Sequence, residues 1–159
     1  MTILVRPAEL TDIPLLVKAR VAFLAALGHP IPEEELEETK AQVAKFLEQN
    51  LGKSMFSWIA MDGDEIAAAG FLQLFYVMAH FNAPSGHYGR ITNMLTWPAY
   101  RSRGLARQII SQLLEKARQC ELDYVNLDAS DLGRPLYESL GFIDYVAEDP
   151  PMVLYLRKN

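Results

Sequence analysis

The sequence predicts an α/β domain of the mixed, α+β kind, and three observations carry that reading. Apolar residues recur at helical spacing from Leu105 to Ala117, strand-like runs flank that stretch on both sides, and Asp62-Gly63 joins two such runs as a hairpin turn would. Helix and strand patterns therefore interleave along one chain, so that helices come to lie against a sheet.

Taken in order, Ile3 to Val5 reads as a strand. Thr11-Asp12 with Pro14 starts a helix, because proline's fixed φ suits the first turn and its missing N–H would be an orphan there. Ile13, Leu16, Val17, Phe23, Leu24 and Leu27 give that helix its apolar side, and Gly28-His29-Pro30 ends it. A second helix follows Pro32, with Leu36, Val43, Phe46 and Leu47 on one stripe. Glu33, Glu34, Glu35, Glu37 and Glu38 crowd its start, where carboxylates offset the positive end of the helix dipole. Gly52 reads as its stop.

Phe56 to Met61 and Ile66 to Val77 are strand-like and are expected to pair antiparallel about Asp62-Gly63. His80 to Gly89, containing Asn82, Pro84 and Ser85, reads as a loop edging a cleft, followed by a strand from Arg90 to Thr96. The helix opening at Gly104 buries Leu105, Ala106, Ile109, Ile110, Leu113, Leu114 and Ala117. Tyr124 to Asp128 is the next strand, Arg134 to Leu140 a short helix capped by Gly141, and Phe142 to Val146 with Met152 to Leu156 a final strand pair. The order is βααβββαβαββ.

With 159 residues, half of them apolar, the chain suits one domain over 1–159 with one substantial core. A net charge of −5 and a pI near 5.2 argue against a general nucleic-acid or anionic-membrane surface, which needs a strong basic field. Thr2-Ile3-Leu4-Val5-Arg6 lacks the pattern of a signal peptide, which makes the cytoplasm the default expectation. One cysteine, Cys120, permits no internal disulfide and reads as a buried structural thiol. No Cys or His cluster has zinc-ligand spacing, so no metal is expected.

Basic charge concentrates in Arg101-Ser102-Arg103-Gly104-Leu105-Ala106, with Arg107 next, between an apolar strand and the long amphipathic helix. The first turn of a helix has unpartnered N–H groups and the positive end of the dipole, and an anion satisfies both. Gly104 lets the backbone close on a phosphate, and the arginines supply charge around it. A P-loop is excluded, because Gly52-Lys53-Ser54 would need a glycine where Leu47 stands. The dinucleotide fingerprint G-x-G-x-x-G is absent.

Arg101, Gly104 and Ala106 fill the fixed places of Q/R-x-x-G-x-G/A, and Leu136-Tyr137-Glu138-Ser139-Leu140-Gly141-Phe142 resembles the segment L-Y-x-x-x-G-F. Two ordered motifs at this separation resemble the GNAT superfamily of N-acetyltransferases. The resemblance implies a mixed six- or seven-stranded sheet flanked by about four helices, with acetyl-CoA as donor. It also implies direct transfer to a primary amine in a ternary complex, without a covalent enzyme intermediate. By the same resemblance, the backbone of Met94, Leu95 and Thr96 pairs with the pantetheine arm. The segment Arg101, Ser102, Arg103, Gly104, Leu105, Ala106 and Arg107 holds the pyrophosphate. Tyr137 protonates the leaving thiolate, and the spacing of Leu136 and Leu140 leaves its side chain room to face a cleft.

Some positions depart from the family pattern. Ser130 stands where asparagine is frequent, and both a helix-cap role and a cofactor contact are open for it. Gly133 replaces a frequent alanine, and Thr96 a frequent valine.

An alkylammonium of pKa near 10.4 is only about 0.04% neutral at pH 7, a deficit of roughly 4.6 kcal/mol that a base or a desolvating site must offset. The sequence leaves the base open among Asp128, His80, His87 and Glu33, or a water chain, and leaves Asn93 open between orienting a substrate and satisfying a strand edge. Glu33 to Glu38 and Glu148-Asp149 are read either as bordering the acceptor site or as solvated surface. The acceptor is a small-molecule or protein amine. The competing function is a non-catalytic acyl-CoA-binding module, against which Tyr137 weighs. Edge strands near the C-terminus, Met152 to Leu156 above all, would suit a homodimer.

Overall fold

The structure is a computed structural model that describes residues 2–147 and 149–157. It contains two compact units, Met1–Asp128 and Ala129–Asn159.

The first unit runs β1 (Leu4–Pro7), α1 (Ile13–Ala26), α2 (Glu33–Asn50), β2 (Met55–Asp62), β3 (Glu65–Tyr76), β4 (His87–Thr96), α3 (Leu105–Gln119) and β5 (Tyr124–Asn126). The five strands lie side by side in chain order, antiparallel from β1 to β4, with β5 parallel to β4. A parallel neighbour requires a crossover, and α3 supplies it.

Local sequence explains the ends of these elements. Asp12 is the N-cap of α1 with Pro14 in its first turn, as expected. The hairpin turns at Gly63, whose φ is +59°. Three glutamates occupy the first turn of α2. Phe46, expected on the buried stripe of α2, is exposed instead, and Leu47 carries the burial.

Alternation along the strands divides the core into two layers. Met55, Ile59, Met61, Ala69 and Phe71 meet Ile13, Leu16 and Ala19 of α1 and Leu47 of α2 on one face. On the other lies α3, with Ile109, Ile110 and Leu113 fully buried. Each such side chain contributes about 1.5–3 kcal/mol of burial free energy. Gly70 permits the close approach, since a Cβ there would lie 2.8 Å from Ile109 Cγ2 and 3.1 Å from Leu113 Cδ1.

Two boundaries differ from expectation. β4 begins at His87, three residues before the expected Arg90, because Tyr88 stacks between Phe75 of β3 and Tyr124 of β5, with centroids 5.1 and 5.0 Å away. Those aromatic contacts hold the strand together across residues whose composition reads as loop. Conversely, β5 stops at Asn126, short of Asp128. Cys120 caps α3 and is half-buried rather than buried.

The second unit contains α4 (Arg134–Ser139), followed by Gly141 at φ +95°. Arg134 bonds Asp144 at 2.6 Å, tying the helix to the chain beyond it. The expected strands Phe142 to Val146 and Met152 to Leu156 do not form among the described residues, so the sheet has five strands rather than six or seven. Their side chains are largely exposed, Met152 at 98%. Strand propensity is realised only against a partner, and Pro150-Pro151 removes two consecutive donors from this segment. The edge-strand argument for a homodimer falls with those strands. Glu148, one of the two residues of the expected acidic border here, lies outside the described residues. Among the described residues, no helix is long and apolar enough to cross a membrane.

Candidate active site

The site of the first unit is built on β4. Its ladder with β5 covers only Tyr88, Gly89 and Arg90, so from Ile91 to Thr96 the ladders pair β4 with β3 alone. Met94, Leu95 and Thr96 lie on that stretch, half-buried. An extended chain can add to such an edge through backbone hydrogen bonds.

A bulge interrupts the same stretch. Ala69 pairs with Leu95 and Phe71 with Thr92, which leaves Asn93 and Met94 together opposite Gly70. Asn93 takes up the extra residue in the left-handed region at φ +55°, and its side chain is 1% exposed with neither amide atom bonded to protein. Asparagine tolerates that conformation better than most residues. A glycine inside an otherwise apolar strand is a known mark of a bulge, so Gly70 was the sequence signal for it.

After Thr96 the chain makes a short 3-10 turn, Pro98–Tyr100, then enters α3 through Arg101 to Gly104. Arg101 Nε donates to the Thr96 carbonyl at 3.3 Å, and Arg103 Nη2 to the Ala99 carbonyl at 3.2 Å, with its guanidinium over the Tyr100 ring. The first bond holds the loop against the strand it leaves, and the second folds it back on the 3-10 turn. Ser102 at φ +61° and Gly104 at φ +74° both lie in the left-handed region, two turns of the backbone within three residues. Gly104 is the N-cap of α3 and provides no side-chain cap. The first bond within the helix is Gln108 N–H to the Gly104 carbonyl, so the N–H groups of Leu105 and Ala106 have no acceptor within it. Nothing lies within 4 Å of where a Cβ on Gly104 would stand. Uncapped donors, open space and exposed arginines at one helix start match the needs of a pyrophosphate. Leu105 is buried and offers only backbone; Arg107 is exposed on the first turn.

In the second unit, Tyr137 is half-buried, packs edge-to-face on Phe142 at 5.9 Å, and has its phenol pKa raised by burial. Its proton therefore stays in place at neutral pH. Ser130 accepts the Gly133 N–H on Oγ at 3.2 Å and closes the turn ahead of α4.

The candidate bases do not cluster. His80 and Glu33 are exposed, and His87 packs edge-on against Tyr76. Asp128 is ion-paired with Arg90, which also donates to Asn126 Oδ1 at 3.3 Å. Nothing local in the sequence marks that arrangement, since Arg90 reads there only as a strand start. A cleft of about 1120 Å³ between α1 and α2 is lined by Leu10, Val17, Val21, Leu36 and Ala44 among others, and by no residue of Met94 to Arg107.

An open strand edge that leads into a helix start without a side-chain cap is an arrangement that suits an acyl-CoA-dependent acyltransferase. The acetyltransferase (GNAT) domain family matches residues 29–150, and the chain belongs to that family, whose acyl donor is acetyl-CoA. It is therefore an acyltransferase of the N-acetyltransferase type. Over 123 residues it is 28% identical to the uncharacterised N-acetyltransferase YsnE of Bacillus subtilis, covering 70% of this chain and 75% of that one. A predicted acetyltransferase from Clostridium acetobutylicum, solved with acetyl-CoA, superposes with a TM-score of 0.80 at 29% identity, covering 98% and 97% of the two chains. A GCN5-related N-acetyltransferase from Ralstonia eutropha gives 0.78 at 20% identity, over 95% and 99%, and shares the fold.

Proposed function

We propose that this chain acts as one catalytic domain over 1–159 that moves the acetyl group of acetyl-CoA to a primary amine by direct attack in a ternary complex. Acetyl-CoA supplies an activated thioester. The N–H groups of Leu105 and Ala106, with the backbone of Ser102 to Gly104 and the charge of Arg101, Arg103 and Arg107, hold its pyrophosphate. Backbone groups of Met94, Leu95 and Thr96 receive the pantetheine arm as an added strand, and an N–H from this stretch polarises the thioester carbonyl. The amine forms the new N–C bond as the C–S bond breaks, and its proton leaves to a base or water. The phenol of Tyr137 donates its proton to the departing sulfur. Ser130 acts through α4, whose preceding turn it closes.

The observation that supports this reading most is the uncapped start of α3 at the end of the unpaired part of β4. Calorimetric titration with acetyl-CoA tests it in the wild type, Gly104→Asn and Gly104→Asp. Both substitutions carry the cost of a left-handed side chain, and only aspartate adds a negative charge where phosphate would sit. Wild type should bind, Gly104→Asn should bind more weakly, and Gly104→Asp should weaken binding at least tenfold further. Equal affinities for the two variants would overturn the placement of the pyrophosphate.

A further inference from the structure

The register places Phe75 opposite Tyr88 and Tyr88 beside Tyr124, and sets Arg90, two residues along β4, beside Asn126. Alternation puts all of them on the face that carries Phe71, the face on which α1 and α2 pack. The opposite face is filled by α3, whereas on this one Tyr88, Arg90, Tyr124 and Asn126 are only half-buried. Here the rings of Phe75, Tyr88 and Tyr124 form one column, 5.1 and 5.0 Å between centroids and 14° and 11° between planes. All three are half-buried. Between that column and the bulge lies Arg90, 37% exposed at its side chain, with one donor on Asn126 and one on Asp128.

This arrangement does not match a polyamine, because a guanidinium in the floor of the site repels a dication. It matches a molecule that carries its own anion beside its amine. The remaining donors of the five-donor guanidinium fork suit a carboxylate, Asp128 suits an ammonium, and the stacked rings, whose inner faces meet one another, offer their edges to an edge-to-face contact. Resting on the transferase reading above, we infer that the acceptor is an α-amino carboxylate with an aromatic or large apolar side chain. Arg90 takes its carboxylate, Asp128 faces its amine, and Phe75, Tyr88 and Tyr124 take its side chain.

Initial rates at saturating acetyl-CoA test this with L-phenylalanine and 2-phenylethylamine as acceptors, in wild type and Arg90→Gln. Taking the ratio of the two substrates between the two proteins cancels the difference in amine basicity. Loss of a charged hydrogen bond should shrink the preference of kcat/KM for phenylalanine about tenfold or more in Arg90→Gln. Acetyl-CoA affinity should hold within twofold. A measurement on wild type alone guards against misfolding of the variant: 3-phenylpropanoate should inhibit competitively with the acceptor at least tenfold more tightly than 3-phenylpropanamide. An unchanged ratio, equal inhibition by acid and amide, or no transfer to phenylalanine while acetyl-CoA still binds would overturn the acceptor assignment and leave the transferase reading standing. Absence of acetyl-CoA binding by wild type would overturn both.

Discussion

Gly133 makes room for the ring of Tyr137: a Cβ on Gly133 would stand 2.8 Å from Cε2 and 3.3 Å from Cζ of that tyrosine. The glycine's φ of −83° is open to any residue, so its role is space and not backbone freedom. Replacing it displaces the phenol without altering the helix start.

Gly133→Ala should therefore lower turnover several-fold while acetyl-CoA affinity stays within twofold. Tyr137→Phe, which deletes the proton donor, should cost about 10²-fold in kcat. In the double variant the alanine should add nothing further, because a displaced ring without a hydroxyl has no proton to misplace. Unchanged turnover in Tyr137→Phe with the best acceptor removes the residue from the mechanism. Burial raises the phenol pKa above its ordinary value near 10. A basic limb owed to Tyr137 must then lie above pH 10. A basic limb below that, abolished in Tyr137→Phe, would contradict the assignment.

Gly70 makes room on the face of the sheet that α3 covers. A Cβ there would lie 2.4 Å from Met94 Sδ as well as 2.8 Å from Ile109 Cγ2. The thioether can swing away, but the isoleucine methyl sits on a packed helix and cannot. Gly70→Ala should destabilise the fold by about 1–3 kcal/mol, the usual cost of overpacking a filled core. It should also raise the KM for acetyl-CoA, because Met94 and the bulge beside it move. Chemical denaturation and initial rates check the two effects separately, and a stable variant with unaltered KM would detach the bulge from donor binding.

The parts of the fold legible in the sequence were those that local chemistry decides. Pro14 behind Asp12, Asp62-Gly63 and the apolar spacing of Leu105 to Ala117 each specify an element within a few residues, and each element stands where expected. The loop from Arg101 to Gly104 was legible for the same reason, since a glycine after a strand and before an amphipathic helix is itself the local geometry. What the sequence did not disclose depends on partners far along the chain. The extension of β4 back to His87 needs Phe75 and Tyr124, and the Arg90–Asp128 pair joins β4 to the chain just beyond β5. The unbroken apolar run Met152 to Leu156 reads as a strand by local composition, yet no ladder forms there among the described residues.

Asp12 supports the fold in a manner that pH can reverse. Its carboxylate accepts from Arg6 Nη1 at 2.7 Å and Nη2 at 2.8 Å, and from the Glu9 N–H at 2.8 Å, joining β1 to the start of α1. The residue is buried, while Arg6 remains partly in solvent. Hydrogen bonds from Arg6 are the main cause that holds the Asp12 pKa below its ordinary value. A carboxyl whose pKa is lower in the folded state contributes stability above its unfolded pKa, near 3.9, and loses it as pH falls through the folded value. Asp12→Asn should thus cost about 1–3 kcal/mol at pH 7, the range for losing charge-assisted bonds at a largely buried site. The gap from wild type should hold from pH 7 down to about pH 4 and close at more acid pH, once wild type also carries a neutral side chain. Urea denaturation of both proteins across that range measures it, and a gap that stayed constant into strong acid would show that Asp12 acts through packing instead of charge.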